Sequence, residues 1–387
     1  MLKPLHLVPT LRLLGLFASI AGPGVPALAR THEVDCGSGG APLQLAIDRA
    51  KDGDTLRVGG ICREAVRIVN RKLTLVGTPG ATLEAPDYPW TTLPHSTLHP
   101  ILQAVGSNVR IEGLSIDGRN RADDPWATGL TGIQLINSRG TLIRNRIVRI
   151  RHSEQRSDWE VSGIHIHRRT GPGKEGLIRI EENLIEDFES NGIFIQNSIS
   201  DLQKSSSLNL IISNNRIRGS GAMIQNQNGI QIGGLQDGGS SPIDARIENN
   251  AFEGLFSYSG IWSSTAIYVT PLVLPDRIIL RPYTIECDEN IVDSSNTAIS
   301  LTSASPARIT RNTLQGGDLG IWVHSTKIRM RGNRLSNLET GVLTVDSDLS
   351  PDQLHHRSSS RVRQNLLRTS ANSLDRLPGR GASGKTP

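Results

Sequence analysis

A chain of 387 residues can bury a sizeable core, and its formal charge of +5 belongs to its ends. Setting aside Lys3 and Arg12 leaves 40 basic against 37 acidic residues; Pro351–Pro387 holds seven basic and two acidic, so residues 30–350 carry 33 against 35. A near-neutral body with a solvated basic Ser/Arg/Gly tail gives little support to nucleic-acid binding, and no segment after the N-terminus is an apolar run long enough to cross a bilayer.

Met1–Ala29 reads as a cleaved secretory signal: Lys3 and Arg12 precede the apolar run Leu13–Ile20, and Ala27-Leu28-Ala29 is a small-x-small site. The expected location is periplasmic or extracellular. Export makes a Cys36–Cys62 disulfide feasible, contributing about 3 kcal/mol by loop closure. Cys287 stands at an inward apolar position and reads as a core thiol. Residues 30–64 form an N-terminal unit with an amphipathic helix at Pro42–Lys51, followed by the strand-like runs Asp52–Val58 and Leu73–Gly77.

From residue 65 to 368 two phrases alternate at a period near 21 residues. One is Ile-x-x-Asn-x-Ile, with Asn145, Asn183, Asn215, Asn250, Asn290, Asn312, Asn333 and Asn365. The other is Gly-Ile-x-Ile or a variant, starting at Gly132, Gly163, Gly192, Gly229, Ala298 and Gly320. Each phrase alternates apolar and polar residues, as a short strand does. One such strand cannot bury its apolar side; stacking coils about 4.8 Å apart pairs every strand with its copies and makes a continuous apolar column. The expected fold is all-β: about ten coils of three short strands, a capping helix at one end, and a flexible tail over 369–387. Asn in the turn suits a left-handed backbone and can bond to the Asn one coil away.

These phrases, over about Val66 to Leu367, resemble the right-handed parallel β-helix of the pectin-lyase-like superfamily. In that resemblance the helix plugs the first coil and protects its open edge. The superfamily includes lyases, hydrolases, epimerases and non-catalytic surface proteins, so the resemblance implies a fold and not an activity. The aspartate trio of polygalacturonases and the acidic calcium cluster of pectate lyases do not stand on these strands. Asp123-Asp124-Pro125-Trp126 departs from the Asp-Pro-His-Asp signature of mannuronan epimerases.

Extra residues gather on both sides of the Gly-Ile strand: Gly118–Thr128, Arg151–Val161, Thr170–Glu175, Ser198–Ser207, Gly233–Pro242 and Thr270–Arg281. The turn after Asn is never lengthened. Loops on two sides of one strand face should wall a trough. After Asn250, either Gly260–Ser263 or Ala266–Val269 could be the groove strand. Parity turns Gln103, Gln134, His165, His167, Phe194, Gln196, Gln231, Trp262 or Tyr268, Ser300, Thr302, Trp322 and His324 outward. Aromatic faces and amides suit a sugar chain, so Gln134, Phe194, Gln196, Gln231, Trp262, Tyr268, Trp322 and His324 are the expected substrate contacts. An ordinary solvated sheet face would also carry Gln, Ser and Thr.

His165 and His167 could move protons near neutral pH, Arg168 could neutralise a uronate carboxylate, and Asp158 stands close in sequence. His-x-His with Asp158 or Glu160 could also hold a divalent metal. Hydrolysis asks for two facing carboxylates, and the Gly-Ile strands carry none outward. The expected function is lyase or C5-epimerase chemistry on an acidic polysaccharide by an exported monomer. Non-catalytic glycan binding is the alternative.

Overall fold

The structure, a computed structural model, describes residues 29–37, 42–87, 99–122, 129–153, 161–168, 176–197, 207–223, 226–233, 242–257, 264–270, 273–274, 277–278, 283–302, 304–324, 326–345 and 348–349. The expected signal segment as far as Leu28, the copy around Asn365 and the expected tail lie outside these residues.

Each coil lays down three strands in turn, and each strand pairs in parallel with its counterparts in the neighbouring coils. Lys72–Gly77, Asn108–Glu112, Arg139–Ile143 and Leu177–Glu181 belong to sheet 1, which has 12 strands among the described residues. Ser115–Asp117, Arg146–Ile150 and Leu184–Phe188 belong to sheet 2, which follows the Asn turn. Leu130–Ile136, Ser162–Arg168 and Asn191–Asn197 belong to sheet 3, which carries the Gly-Ile phrase. Sheets 2 and 3 merge at Thr313–His324 and Arg334–Val345, which run through both.

The register explains why this sequence coils. In sheet 3, Leu102, Ile133, Ile164, Ile193, Ile230, Ile267, Ile299, Ile321 and Val342 stack as one inward column. Sheet 1 stacks Leu142, Ile180, Ile212, Ile247, Cys287, Ile309 and Met330 likewise. All of these are buried. Each aliphatic side chain withdrawn from water stabilises the fold by about 2 kcal/mol. Cys287 is one of them, and burial pushes its thiol up to about 12, as a core position requires.

At the corner from sheet 1 to sheet 2 the asparagines form a ladder. The Asn215 backbone N–H and Nδ2 both donate to Asn250 Oδ1, at 3.0 and 2.9 Å, and Asn250 does the same to Asn290 at 3.0 and 3.0 Å. The ladder continues from Asn145 through Asn333. One expectation is corrected. The left-handed residue is not the asparagine but the one before it: Arg144, Glu182, Asn214, Asn249, Glu289 and Arg311 have φ between 51° and 56°. The asparagine is not among the positive-φ residues, and its amide reaches the next coil.

The helix is Leu43–Arg49, with Leu43 and Ile47 buried. Glu64 Oε1 and Oε2 accept the Leu43 and Gln44 N–H groups at 2.5 and 3.2 Å. The Gln44 amide accepts from Arg67 N (2.6 Å) and donates to Arg67 O (3.1 Å), on the sheet 3 strand Val66–Val69. Asp54 accepts the Lys51 and Arg30 N–H groups and faces His32, and the two backbone bonds hold its carboxyl down at about 2. Cys36 and Cys62 form a disulfide, with Cα atoms 5.0 Å apart.

Candidate functional site

The outward face of sheet 3 carries two rows, one residue per coil in each. The first row is Gln103, Gln134, His165, Phe194, Gln231, Tyr268, Ser300 and Trp322. The second aligns His167 with Gln196, and further on Thr302 with His324. Parity is therefore as the spacing predicts.

The open choice after Asn250 falls on Ala266: Thr265–Val269 pairs Thr265 with Asn228 and Tyr268 with Gln231. This places Ile267 between Ile230 and Ile299 in the core column. Tyr268 holds the row position; Trp262 lies outside the described residues, as do Asp158, Glu160, Asp123, Asp124 and most of the lengthened loops.

Exposure divides the face into two halves. Gln134, His165, His167, Arg168, Phe194 and Gln196 are all closed to solvent, with Phe194 only 3% exposed. A physical reason is that these groups satisfy one another. Gln103 Nε2 donates to Gln134 Oε1 at 2.7 Å, which turns Gln134 Nε2 toward His165 Nδ1 at 3.4 Å; His165 Nε2 faces Gln196 Oε1 at 3.0 Å. With Gln134 donating, Nδ1 accepts and Nε2 donates to Gln196. The His165 ring stacks on His167 at 5.4 Å and on Phe194 at 5.0 Å. Arg168 Nη1 donates to Ser207 O at 3.2 Å. Gln231, Tyr268, Trp322 and His324, by contrast, are half-buried and reach solvent.

Among the described residues two buried polar atoms on this face lack a hydrogen-bond partner: Gln196 Nε2 and the Ser300 hydroxyl. Ser300 sits in register between Tyr268 and Trp322. As for a metal, both His165 nitrogens already face amides, so His165 does not fit as a ligand in this arrangement. Among the described residues the one close group of three ligand-type side chains is Cys36, Cys62 and Glu64, and its two sulfurs are bonded to each other.

Reading the sequence missed a buried pair at the corner from sheet 2 to sheet 3. Glu189 Oε2 lies 2.5 Å from His152 Nδ1 and 2.8 Å from His152 N. No motif marks this pair; only the coil offset that aligns Ile150 with Phe188 could have brought its two residues together.

A family model described as the right-handed beta helix region matches residues 201–365. The match falls on the stacked parallel coils described above, and the fold is that of a right-handed parallel β-helix. This β-helix is similar to the Dettilon tailspike protein, at 12% identity and TM-score 0.45 over 82% of the chain and 66% of the tailspike. It is also similar to the polygalacturonase from Erwinia carotovora ssp. carotovora, at 10% identity and TM-score 0.43 over 90% and 98%. A PL6 alginate lyase in complex with a trisaccharide follows at 14% identity and TM-score 0.37, over 80% of the chain and 63% of the lyase. The β-helix thus spans slightly less than two thirds of the tailspike and of the lyase. A comparison with curated proteins found no match. No helix among the described residues is long and apolar enough to cross a membrane.

Proposed function

We propose that this protein is an exported β-helix that binds a polysaccharide along the open half of sheet 3. The observation that carries the reading is the register of Gln231, Tyr268, Ser300 and Trp322 on successive coils. At about 4.8 Å per coil, the row extends roughly 14 Å. Two half-buried aromatic side chains flank a buried hydroxyl that lacks a partner. Aromatic faces stack on sugar C–H surfaces, while amides and hydroxyls pair with sugar hydroxyls. Met1–Ala29 acts as the export signal, and the Cys36–Cys62 disulfide suits an oxidising compartment. Trp322→Ala should weaken binding of oligosaccharide, read by titration calorimetry, at least tenfold. Equal affinity in the variant would sink the assignment of this row.

A second reading, elimination or C5 epimerisation of a uronate, is favoured by the His165–His167 stack beside Arg168. In it His167 takes the C5 proton, His165 holds His167 in place and Arg168 meets the carboxylate. Elimination would leave an unsaturated product absorbing in the ultraviolet; epimerisation would exchange the C5 proton with solvent deuterium. The double variant His165→Ala, His167→Ala should abolish either signal while retaining oligosaccharide binding. Turnover that survives in that variant would remove the histidines from the chemistry.

A further inference from the structure

We propose that the corner from sheet 3 to sheet 1 in the N-terminal coils binds carboxylate groups of an acidic glycan, with Lys72 and Arg139 as the reading cations. The proposal rests on the glycan reading above and adds a second site and a charge preference to it. A cleft of about 430 Å³ lies here, lined among others by Asp52, Asn70, Arg71, Lys72, Ser107 and Arg139. It is built by a backbone device that repeats in three coils. Asn70, Gly106 and Asn137 have φ of 51°, 59° and 48°, and each turns the chain sharply out of sheet 3. The residues just beyond, Arg71 and Lys72 in one coil and Arg139 two coils on, then fall on the same edge.

The cations of this cleft are held differently from those of the middle coils. Arg110, Arg144, Arg146, Arg149, Arg216 and Arg218 each sit on a carboxylate. Among the described residues neither Lys72 nor Arg139 has an ion-pair partner, and the Arg71 guanidinium is fixed by two carbonyls, Ala50 O at 2.5 Å and Asp48 O at 3.2 Å. The single carboxylate in the lining, Asp52, accepts the Lys72 backbone N–H at 3.0 Å. Three positive charges against one negative charge, with the Asn70 amide exposed beside them, make a setting in which an incoming carboxylate gains charge-assisted hydrogen bonds. The corner also leads toward the histidines: Asn137 lines both this cleft and a smaller recess shared by His167 and Arg168. A solvated basic edge is the ordinary alternative, and the experiment separates the two.

The test is titration calorimetry of the full chain with oligomers of galacturonate, mannuronate and guluronate, and with neutral glucose oligomers. The double variant Lys72→Gln, Arg139→Gln keeps side-chain bulk and should lose about tenfold in affinity for one uronate series, with neutral oligomers unaffected and the melting temperature unchanged. Lys72→Glu, Arg139→Glu should lose more. If uronate affinity is unchanged in both variants, or falls equally for neutral oligomers, the site is overturned while Trp322-dependent binding would keep the glycan reading intact. A sulfated oligomer that binds in place of the uronates would overturn the carboxylate assignment. Should no oligomer bind the unaltered chain, both readings fall together.

Discussion

Asn250 shows how much one side chain carries in a stacked coil. Its Oδ1 accepts two bonds from Asn215, and its Nδ2 donates to Ile212 O at 2.9 Å and to Asn290 Oδ1 at 3.0 Å. Asn250→Ala strands these buried partners, and each unsatisfied group costs about 1–3 kcal/mol. A loss of about 3 kcal/mol in urea unfolding is the expected outcome, and Asn250→Asp should recover only part of it because a carboxylate cannot donate. The Ile-x-x-Asn-x-Ile phrase made this ladder legible, since identical residues at a fixed offset must meet. The left-handed positions were not legible. They fall one residue before the asparagine and again four after it, at Arg149, Asp187, Gly254, Ser294, Gly316 and Asn337. Residue types so varied cannot signal one backbone state; the coil imposes it on whatever stands there.

Among the elements, the strands of sheet 3 are constrained by their glycines. A Cβ on Gly192 would lie 2.7 Å from Gly229 O and 2.9 Å from Ile217 Cγ2. The same register position carries alanine in later coils, at Ala266 and Ala298. Gly192→Ala should therefore cost about 1–3 kcal/mol through overpacking, seen as a lowered melting temperature. A variant that melts with the unaltered chain would mean the strands separate enough to admit a methyl group. Alternation gave the inward and outward sides of these strands correctly. It could not distinguish Tyr268 from Trp262 on the row, because two aromatic phrases stand within one coil and only pairing with Asn228 and Thr297 selects between them.

Across the whole molecule, each coil is held chiefly by its two neighbours, so a perturbation at one end should stay there. The disulfide ties Cys36, just beyond the edge strand Thr31–Asp35, to Ile61–Arg63 in the first full coil. Reduction should lower stability by about 3 kcal/mol in the chain-entropy model. Hydrogen exchange should then accelerate over Thr31–Arg63 while the coils between Asn145 and Asn312 keep their protection. Uniform acceleration along the chain would show instead that the β-helix unfolds as one cooperative unit.

The sequence by itself determined the coil, the apolar columns and the asparagine ladder. Each of these depends on contacts one coil away at a nearly constant offset, and a periodic chain writes that offset into its spacing. Only the tertiary structure decided which outward groups meet solvent. His165 and Gln196 share their parity with Trp322, yet two are closed and one is open. The corner cleft at Lys72 and Arg139 likewise joins residues from different coils with no shared phrase. Exposure and charge convergence depend on what lies across a face rather than along a strand, and that is not periodic.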